Sequence, residues 1–466
     1  MLNSISHVTP PAPDTLALIG NTPMVEVTNL DTGPCRLFLK LENQNPGGSI
    51  KDRIALSMIA AAEESGALKP GGTLVEATAG NTGLGLALVA ARKGYRLILV
   101  VPDKMAREKI LHLQALGAEV RLTRSDVGKG HPAYYQDMAE RIAAETPGAY
   151  YINQFSNPAN PRAHETGTGP EIWEQMGHDI DAVVCGVGSG GTITGLGRFF
   201  ARVSPRTEMI LADPEGSVLA PYIATGAMAQ AGAWSVEGIG EDFLPPILEL
   251  DRVNRAYAIP DRESFAAARD LLRKEGILAG SSSGTLLAAA LRYCRAQTSA
   301  KRVVTLVADS GAKYLSKMFN DAWMVEQGHL DRPRTGDLRD LIARRHDAGL
   351  TVTVAPDDTL LIAYNRMRGA DVSQLPVLDA AGQIVGLLDE YDLLRAVHGP
   401  DARAAFARPV STAMTTDLET LPPDAPVDAL FPILDAGRVA IIVGNGRFHG
   451  LITRVDLLNH LRLRVK

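Results

Sequence analysis

The run Ala182-Val183-Val184-Cys185-Gly186-Val187-Gly188-Ser189-Gly190-Gly191-Thr192 decides the fold. Four consecutive apolar residues give way to glycines and hydroxyl-bearing side chains. An unbroken apolar run of this kind reads as a strand buried on both faces, and the small residues after it read as the turn into a helix. The same texture recurs through the first two-thirds of the chain. Residues 73–77, 96–101, 119–122, 209–212 and 303–307 read as further strands rich in Val, Ile and Leu. Helical stretches over 50–65, 82–92, 107–116 and 263–275 lie between them. Such alternation predicts an α/β fold with mostly parallel sheets covered on both faces. Ligands of these sheets sit at the carboxyl ends of the strands.

The glycine loop itself has two readings. Gly186, Gly188 and Gly191 satisfy a dinucleotide fingerprint, and Asp213 follows 22 residues after Gly191 at the end of another apolar strand. That arrangement suits an oxidoreductase whose acidic residue binds a ribose. The alternative is a cup for a single phosphate, built from backbone amides and the hydroxyls of Ser189 and Thr192. Thr192 and the density of small residues favour the single phosphate.

Three more segments fall at strand–helix junctions. In Pro46-Gly47-Gly48-Ser49-Ile50-Lys51-Asp52-Arg53, Ser49 followed by Asp52 reads as a capping box, which puts Lys51 in the first turn of a helix. The partial positive charge of a helix start favours a neutral amine there, the nucleophilic form. Thr78-Ala79-Gly80-Asn81-Thr82-Gly83 offers backbone amides and the Asn81 carboxamide to a carboxylate or phosphate, or is an ordinary capped turn. Gly280-Ser281-Ser282-Ser283-Gly284 places a hydroxyl cluster before a helix, where serines most often cap. An aldehyde cofactor that bears one phosphate and attaches to a lysine would use all four segments. Pyridoxal 5′-phosphate has that chemistry.

Composition narrows the alternatives. Hydrophobic residues at 45% and charged residues at 21% fit a folded globular chain of 466 residues, long enough for two or three domains. A formal net charge of −6 does not favour a nucleic-acid scaffold. No apolar run reaches the roughly 18 residues of a membrane span. Cys35, Cys185 and Cys294 are too widely spaced for a zinc pair or a redox motif, and with no secretory leader in view they fit a reducing cytoplasm. The first residues read as a short arm.

The texture changes near Gly328. Asp331-Arg332-Pro333-Arg334-Thr335-Gly336-Asp337 reads as a linker. Beyond it, Gly386-Leu387-Leu388-Asp389-Glu390-Tyr391-Asp392-Leu393-Leu394 aligns with Gly450-Leu451-Ile452-Thr453-Arg454-Val455-Asp456-Leu457-Leu458, 64 residues later. Each block follows a strand-like run and leads into a helix, so the C-terminal third reads as two copies of a small β/α unit. The expected domains are a catalytic region over 1–330, a linker over 331–342, and repeats over 343–400 and 407–466.

With Asn21-Thr22-Pro23-Met24-Val25 and the four segments above in one order, the chain over about 15–325 resembles the cysteine synthase / cystathionine β-synthase family of fold type II pyridoxal-phosphate enzymes. The repeat resembles a pair of CBS domains, a Bateman module. The resemblance implies a bilobal catalytic core followed by that module. It implies that Lys51 holds the cofactor covalently and that Asn81 bonds its ring hydroxyl oxygen. Gly188, Ser189, Gly190, Gly191 and Thr192 match the phosphate loop, and Ser282 matches the serine that faces the pyridine nitrogen. Thr78, Gly80, Thr82 and Gln154 match groups that hold the substrate carboxylate.

Glu237-Gly238-Ile239-Gly240-Glu241-Asp242-Phe243, Lys104-Met105-Ala106-Arg107-Glu108-Lys109 and Asp309-Ser310 with Lys313-Tyr314-Leu315-Ser316-Lys317 look more like the cystathionine-forming members. Gln154-Phe155-Ser156-Asn157-Pro158-Ala159-Asn160-Pro161 looks more like the cysteine synthases. The CBS pair tips the balance to condensation of L-serine with L-homocysteine to L-cystathionine, with hydrogen sulfide release from cysteine as a side activity. Cysteine synthesis and use of O-acetylserine stay open, because Ala79 stands where the family often has serine. No haem is expected, since the N-terminal arm is too short for a haem-binding extension and Cys35 lies inside Cys35-Arg36-Leu37-Phe38-Leu39, which reads as a strand. Thr453 and Asp456 match ribose-contacting positions of CBS modules, while Asp389 replaces the hydroxyl residue in the first copy. The module is therefore either an adenosine-ligand site or an oligomerisation element of a homodimer or larger homo-oligomer.

Overall fold

The structure is a computed structural model that describes residues 11–464 apart from positions 79, 104, 106, 129, 333 and 400. The chain divides into two compact units, one running to Phe319 and one starting at Asn320. Among the described residues, no helix is long and apolar enough to cross a membrane.

Among the described residues, the first unit holds ten strands: β1 (Met24–Glu26), β2 (Arg36–Lys40), β3 (Thr73–Ala77), β4 (Arg96–Pro102), β5 (Glu119–Thr123), β6 (Ala149–Tyr151), β7 (Ala182–Cys185), β8 (Glu208–Pro214), β9 (Arg255–Ile259) and β10 (Arg302–Leu306). They form two sheets. The smaller, ordered β5-β4-β3-β6, is parallel throughout. The larger, ordered β1-β2-β10-β7-β8-β9, is parallel except where β1 pairs with β2. All residues of β3 and β7 are buried. Such strands need apolar side chains on both faces, and that is why they stand out in the sequence.

Helix Lys51–Glu64 packs against helix Asn81–Lys93, and small side chains set their approach. A Cβ on Gly85 would lie 2.9 Å from the Lys51 carbonyl oxygen and 3.1 Å from the Ala55 methyl. Behind them Ile54, Met58, Leu84, Leu99 and Val101 form part of one buried cluster with the smaller sheet. Gly85 thus permits the contact that brings the starts of these two helices together.

The second unit contains both repeat copies, each with its own core. In the first copy, β11 (Gln374–Leu378) and β12 (Ile384–Asp389) pair antiparallel around Val354, Leu360, Leu375, Val377 and Leu388. In the second, β13 (Thr420–Leu421), β14 (Ala440–Gly444) and β15 (Arg447–Ile452) enclose Leu430, Ile442, Ile452 and Leu457. Leu338, Leu341 and Ile342 are buried in this second core. That part of the stretch 331–342, expected as a linker, therefore packs as core, because its apolar side chains leave water there.

The repeat alignment has a local cause. Asp389 caps helix Glu390–Val397 in a reciprocal capping box with Asp392. At the matching positions Thr453 donates its amide (2.7 Å) and its hydroxyl (2.6 Å) to Asp456. Two chemically different pairs thus close the same turn.

Candidate active site

The functional side chains gather at the carboxyl ends of the strands in the first unit. Helix Asn81–Lys93 follows β3, helix Gly191–Val203 follows β7, and helix Ser281–Arg295 follows Gly280. Their N-cap residues are Gly80, Gly190 and Gly280, and none receives a side-chain capping bond among the described residues. Three sets of first-turn amides are left to a ligand. In the serine loop, where ordinary capping was the plain alternative, Ser281 and Ser283 instead accept the Glu237 and Ala308 amides.

Lys51 is the first residue of its helix. The expected capping box is absent. Asp52 turns away to accept the Gly47 amide at 2.5 Å, while Ser49 Oγ accepts the Lys51 amide at 3.2 Å. The Lys51 amine makes no hydrogen bond or ion pair among the described residues. Burial pushes it below the ordinary lysine range, against the opposing pull of the Asp309 carboxylate. The neutral form is favoured, mainly by withdrawal from water.

Asn81 lies between two charges. Its Nδ2 donates to Asp309 Oδ2 at 2.8 Å, and its Oδ1 accepts from Lys313 Nζ at 2.7 Å. The carboxylate takes only donors and the ammonium gives only donors, so the amide orientation follows.

On the side expected to hold the substrate carboxylate, Thr82 Oγ1 donates to Gln154 Oε1. Thr78 Oγ1 accepts the Gly80 amide at 3.3 Å. Ala79 lies outside the described residues. Beneath this loop the fully buried Glu76 accepts the Gln154 amide at 3.1 Å and the Ala77 amide at 2.8 Å. Burial pushes its carboxyl up to about 8.

On the side expected to hold a phosphate, Gly190 adopts φ +92, which favours glycine. A Cβ on Gly188 would lie 2.6 Å from the Gly238 carbonyl oxygen, and the Gly240 amide donates to the Val187 carbonyl at 2.8 Å. The Gly238–Gly240 stretch thus closes over the loop at backbone distance. Thr192 Oγ1 lies 3.2 Å from His164 Nε2, whose Nδ1 lies 3.0 Å from Thr168 Oγ1. Burial drives His164 well below its usual range, so it is neutral. Asn160 Nδ2 donates both to the Gln154 carbonyl (2.8 Å) and to Ser189 Oγ (2.9 Å), joining the carboxylate side to the phosphate side. His164, Asn160 and Asp309 were not singled out as site residues from the sequence.

Ser282 is buried at the start of its helix. Its neighbours are committed: Ser281 Oγ accepts the Glu237 amide and Ser283 Oγ accepts the Ala308 amide. Asp213, the acidic residue of the dinucleotide reading, is fully buried and accepts the Ala220 amide at 2.8 Å. Its carboxylate supports the chain turn after β8, which leaves the ribose-binding role without its acid.

Comparison with known proteins agrees with this geometry. A family model described as pyridoxal-phosphate dependent enzyme matches residues 15–309, and the CBS domain model matches 350–399 and 410–463. The chain is 36% identical to a cystathionine beta-synthase of Dictyostelium discoideum over 95% of this chain and 91% of that protein. It is 39% identical to the cystathionine beta-synthase of Oryctolagus cuniculus over 82% of this chain and 70% of that one. Among solved structures, a hydrogen sulfide-producing enzyme from Fusobacterium nucleatum aligns with a TM-score of 0.61 and 35% identity, covering 66% of this chain and 100% of that one. The two family models and the relatives that match most of the chain lead to one conclusion: the chain belongs to the pyridoxal-phosphate dependent enzymes, in their cystathionine beta-synthase group with a CBS-domain pair.

Proposed function

We propose that this chain condenses L-serine with L-homocysteine to L-cystathionine and water, with Lys51 as its catalytic residue. The observation that carries the reading is the Lys51 amine, desolvated and without a bonding partner among the described residues, beside three helix starts that lack caps. Those residues fit pyridoxal 5′-phosphate: an amine for its aldehyde, Asn81 for its hydroxyl oxygen, and Gly188, Ser189, Gly190, Gly191 and Thr192 for its phosphate. When bound, that group supplies an electrophilic carbonyl and an electron sink.

The chain's own groups divide the remaining work. Thr78, Gly80, Thr82 and Gln154 hold the substrate carboxylate. Lys51 Nζ, whose pKa burial lowers, removes the proton from the substrate α-carbon and later returns it. The β-hydroxyl leaves with a proton from Lys51 or water, and the acceptor thiolate adds at the same β-carbon. Ser282 offers a hydroxyl, which unlike a carboxylate does not hold a ring nitrogen in its protonated form. A weaker electron sink disfavours long-lived carbanions and so favours elimination over transamination and racemisation.

A second reading is sulfide release from cysteine, supported by the similarity to the hydrogen sulfide-producing enzyme of Fusobacterium nucleatum. Cysteine synthesis from O-acetylserine is the third. The CBS pair is read as a site for an adenosine ligand at Thr453 and Asp456, on a homo-oligomer of the cytoplasm. Borohydride reduction followed by peptide mapping tests the attachment: label on Lys51 is expected, and its absence overturns the reading. Turnover of serine, O-acetylserine and cysteine, each with homocysteine and with sulfide, separates the three activities. Calorimetric titration with S-adenosylmethionine and AMP tests the module.

A further inference from the structure

We propose that Asp309 is a positioning residue that fixes the Asn81 carboxamide for the cofactor. The inference rests on the functional reading above and assigns a role to a residue outside the expected set. Asp309 follows β10, at the carboxyl end of the larger sheet, and is fully buried. Its Oδ2 accepts from Asn81 Nδ2 and from the Tyr314 hydroxyl, both at 2.8 Å. Its Oδ1 is buried and has no hydrogen-bond partner among the described residues. A buried charge with an unsatisfied oxygen is costly, so a purely structural aspartate is a poor account of it.

The backbone holds the carboxylate in place. The Gly280 amide donates to the Asp309 carbonyl at 3.0 Å, the Ile50 amide to the Ala308 carbonyl at 2.9 Å, and the Ser310 amide to the Gly48 carbonyl at 3.1 Å. The segments of Lys51 and Ser282 thus bond the backbone around Asp309, and Asn81 bonds its side chain. Gly280 makes room for it, since a Cβ there would lie 1.8 Å from Asp309 Oδ1. Lys313 grips the other end of the Asn81 amide. One amide hydrogen of Asn81 is spent on Asp309, and the clamp leaves the second as the donor for the cofactor oxygen.

A double-mutant cycle on the full chain tests this. Each variant is stripped of cofactor and titrated with pyridoxal 5′-phosphate, and growth of the visible band gives the dissociation constant. Asp309→Ala is expected to weaken binding about tenfold, as is Asn81→Ala, and the double variant is expected to match Asn81→Ala alone. Independent effects, near a hundredfold together, would overturn the proposal, as would unchanged binding in Asp309→Ala. If Asp309→Ala does not fold, Asp309→Asn carries the cycle. It keeps an acceptor oxygen and loses the charge, so about threefold weakening is expected, absent again in the Asn81→Ala background. Weakening that persists there would also refute the role. Wild-type chain that develops no band and takes no borohydride label on Lys51 would defeat the functional reading itself, before the cycle is read.

Discussion

Thr82 Oγ1 donates to Gln154 Oε1 at 2.8 Å, joining the first turn after β3 to the residues that follow β6. The bond occupies the oxygen of the glutamine amide and leaves its two N–H groups as donors. Gln154→Glu removes both and puts a negative charge where the substrate carboxylate is expected. We expect KM for serine to rise between about tenfold and a hundredfold, the worth of hydrogen bonds to a charged group. The visible band of the holoenzyme should stay unchanged. Steady-state kinetics beside a spectrum checks both.

Ser282→Asp adds a carboxylate at the position expected to face the ring nitrogen. A stronger electron sink would then prolong the carbanion, so β-replacement should slow by about tenfold or more while transamination and racemisation rise. Deuterium exchange at the α-carbon, followed by NMR beside product formation, reads the two together. Equal turnover and equal side reactions in the variant would remove Ser282 from this role.

Glu76 gives a pH dependence whose sign is fixed. Its carboxyl titrates near 8 when folded, because burial outweighs the bonds from the Gln154 and Ala77 amides, against an ordinary value of 4.5. The stability contributed by the neutral acid is whole below about 4.5 and is lost as pH rises through about 8. Between those limits the wild type should lose up to about 1.4 kcal/mol per pH unit from this group. Glu76→Gln has no proton to lose, and its urea midpoint should vary less over the same window.

Gly191→Ala would place a methyl 1.8 Å from Asn160 Oδ1. Overpacking of a buried site costs about 1–3 kcal/mol. It would also displace the one side chain that bonds both Gln154 and Ser189. Lower thermal stability and faster loss of cofactor are expected. Adding Asn160→Ala should restore part of the stability, though not cofactor retention.

The parallel strands were legible because both of their faces are buried: 73–77 and 182–185 match β3 and β7 residue for residue. Longer strands such as β8 extend past the apolar run into Asp213-Pro214, where hydrogen bonding rather than hydrophobicity sets the end. The capping box at Ser49 failed because the Gly47 amide competes for the same carboxylate. Asp309 was overlooked because its partners lie far away in sequence: Asn81 is 228 residues distant. A signal existed, since an aspartate at the carboxyl end of a buried parallel strand sits where ligands of such sheets bind. His164 and Asn160 offered no comparable clue, because their bonds depend on how two sheets come together.

Helix starts closed by glycine rather than by serine or aspartate forgo roughly a few tenths of a kcal/mol each of local anchoring. An anion that docks against them supplies that anchoring from outside the chain. Durability against heat and proteases should then track the supply of vitamin B6, growing with the logarithm of its concentration.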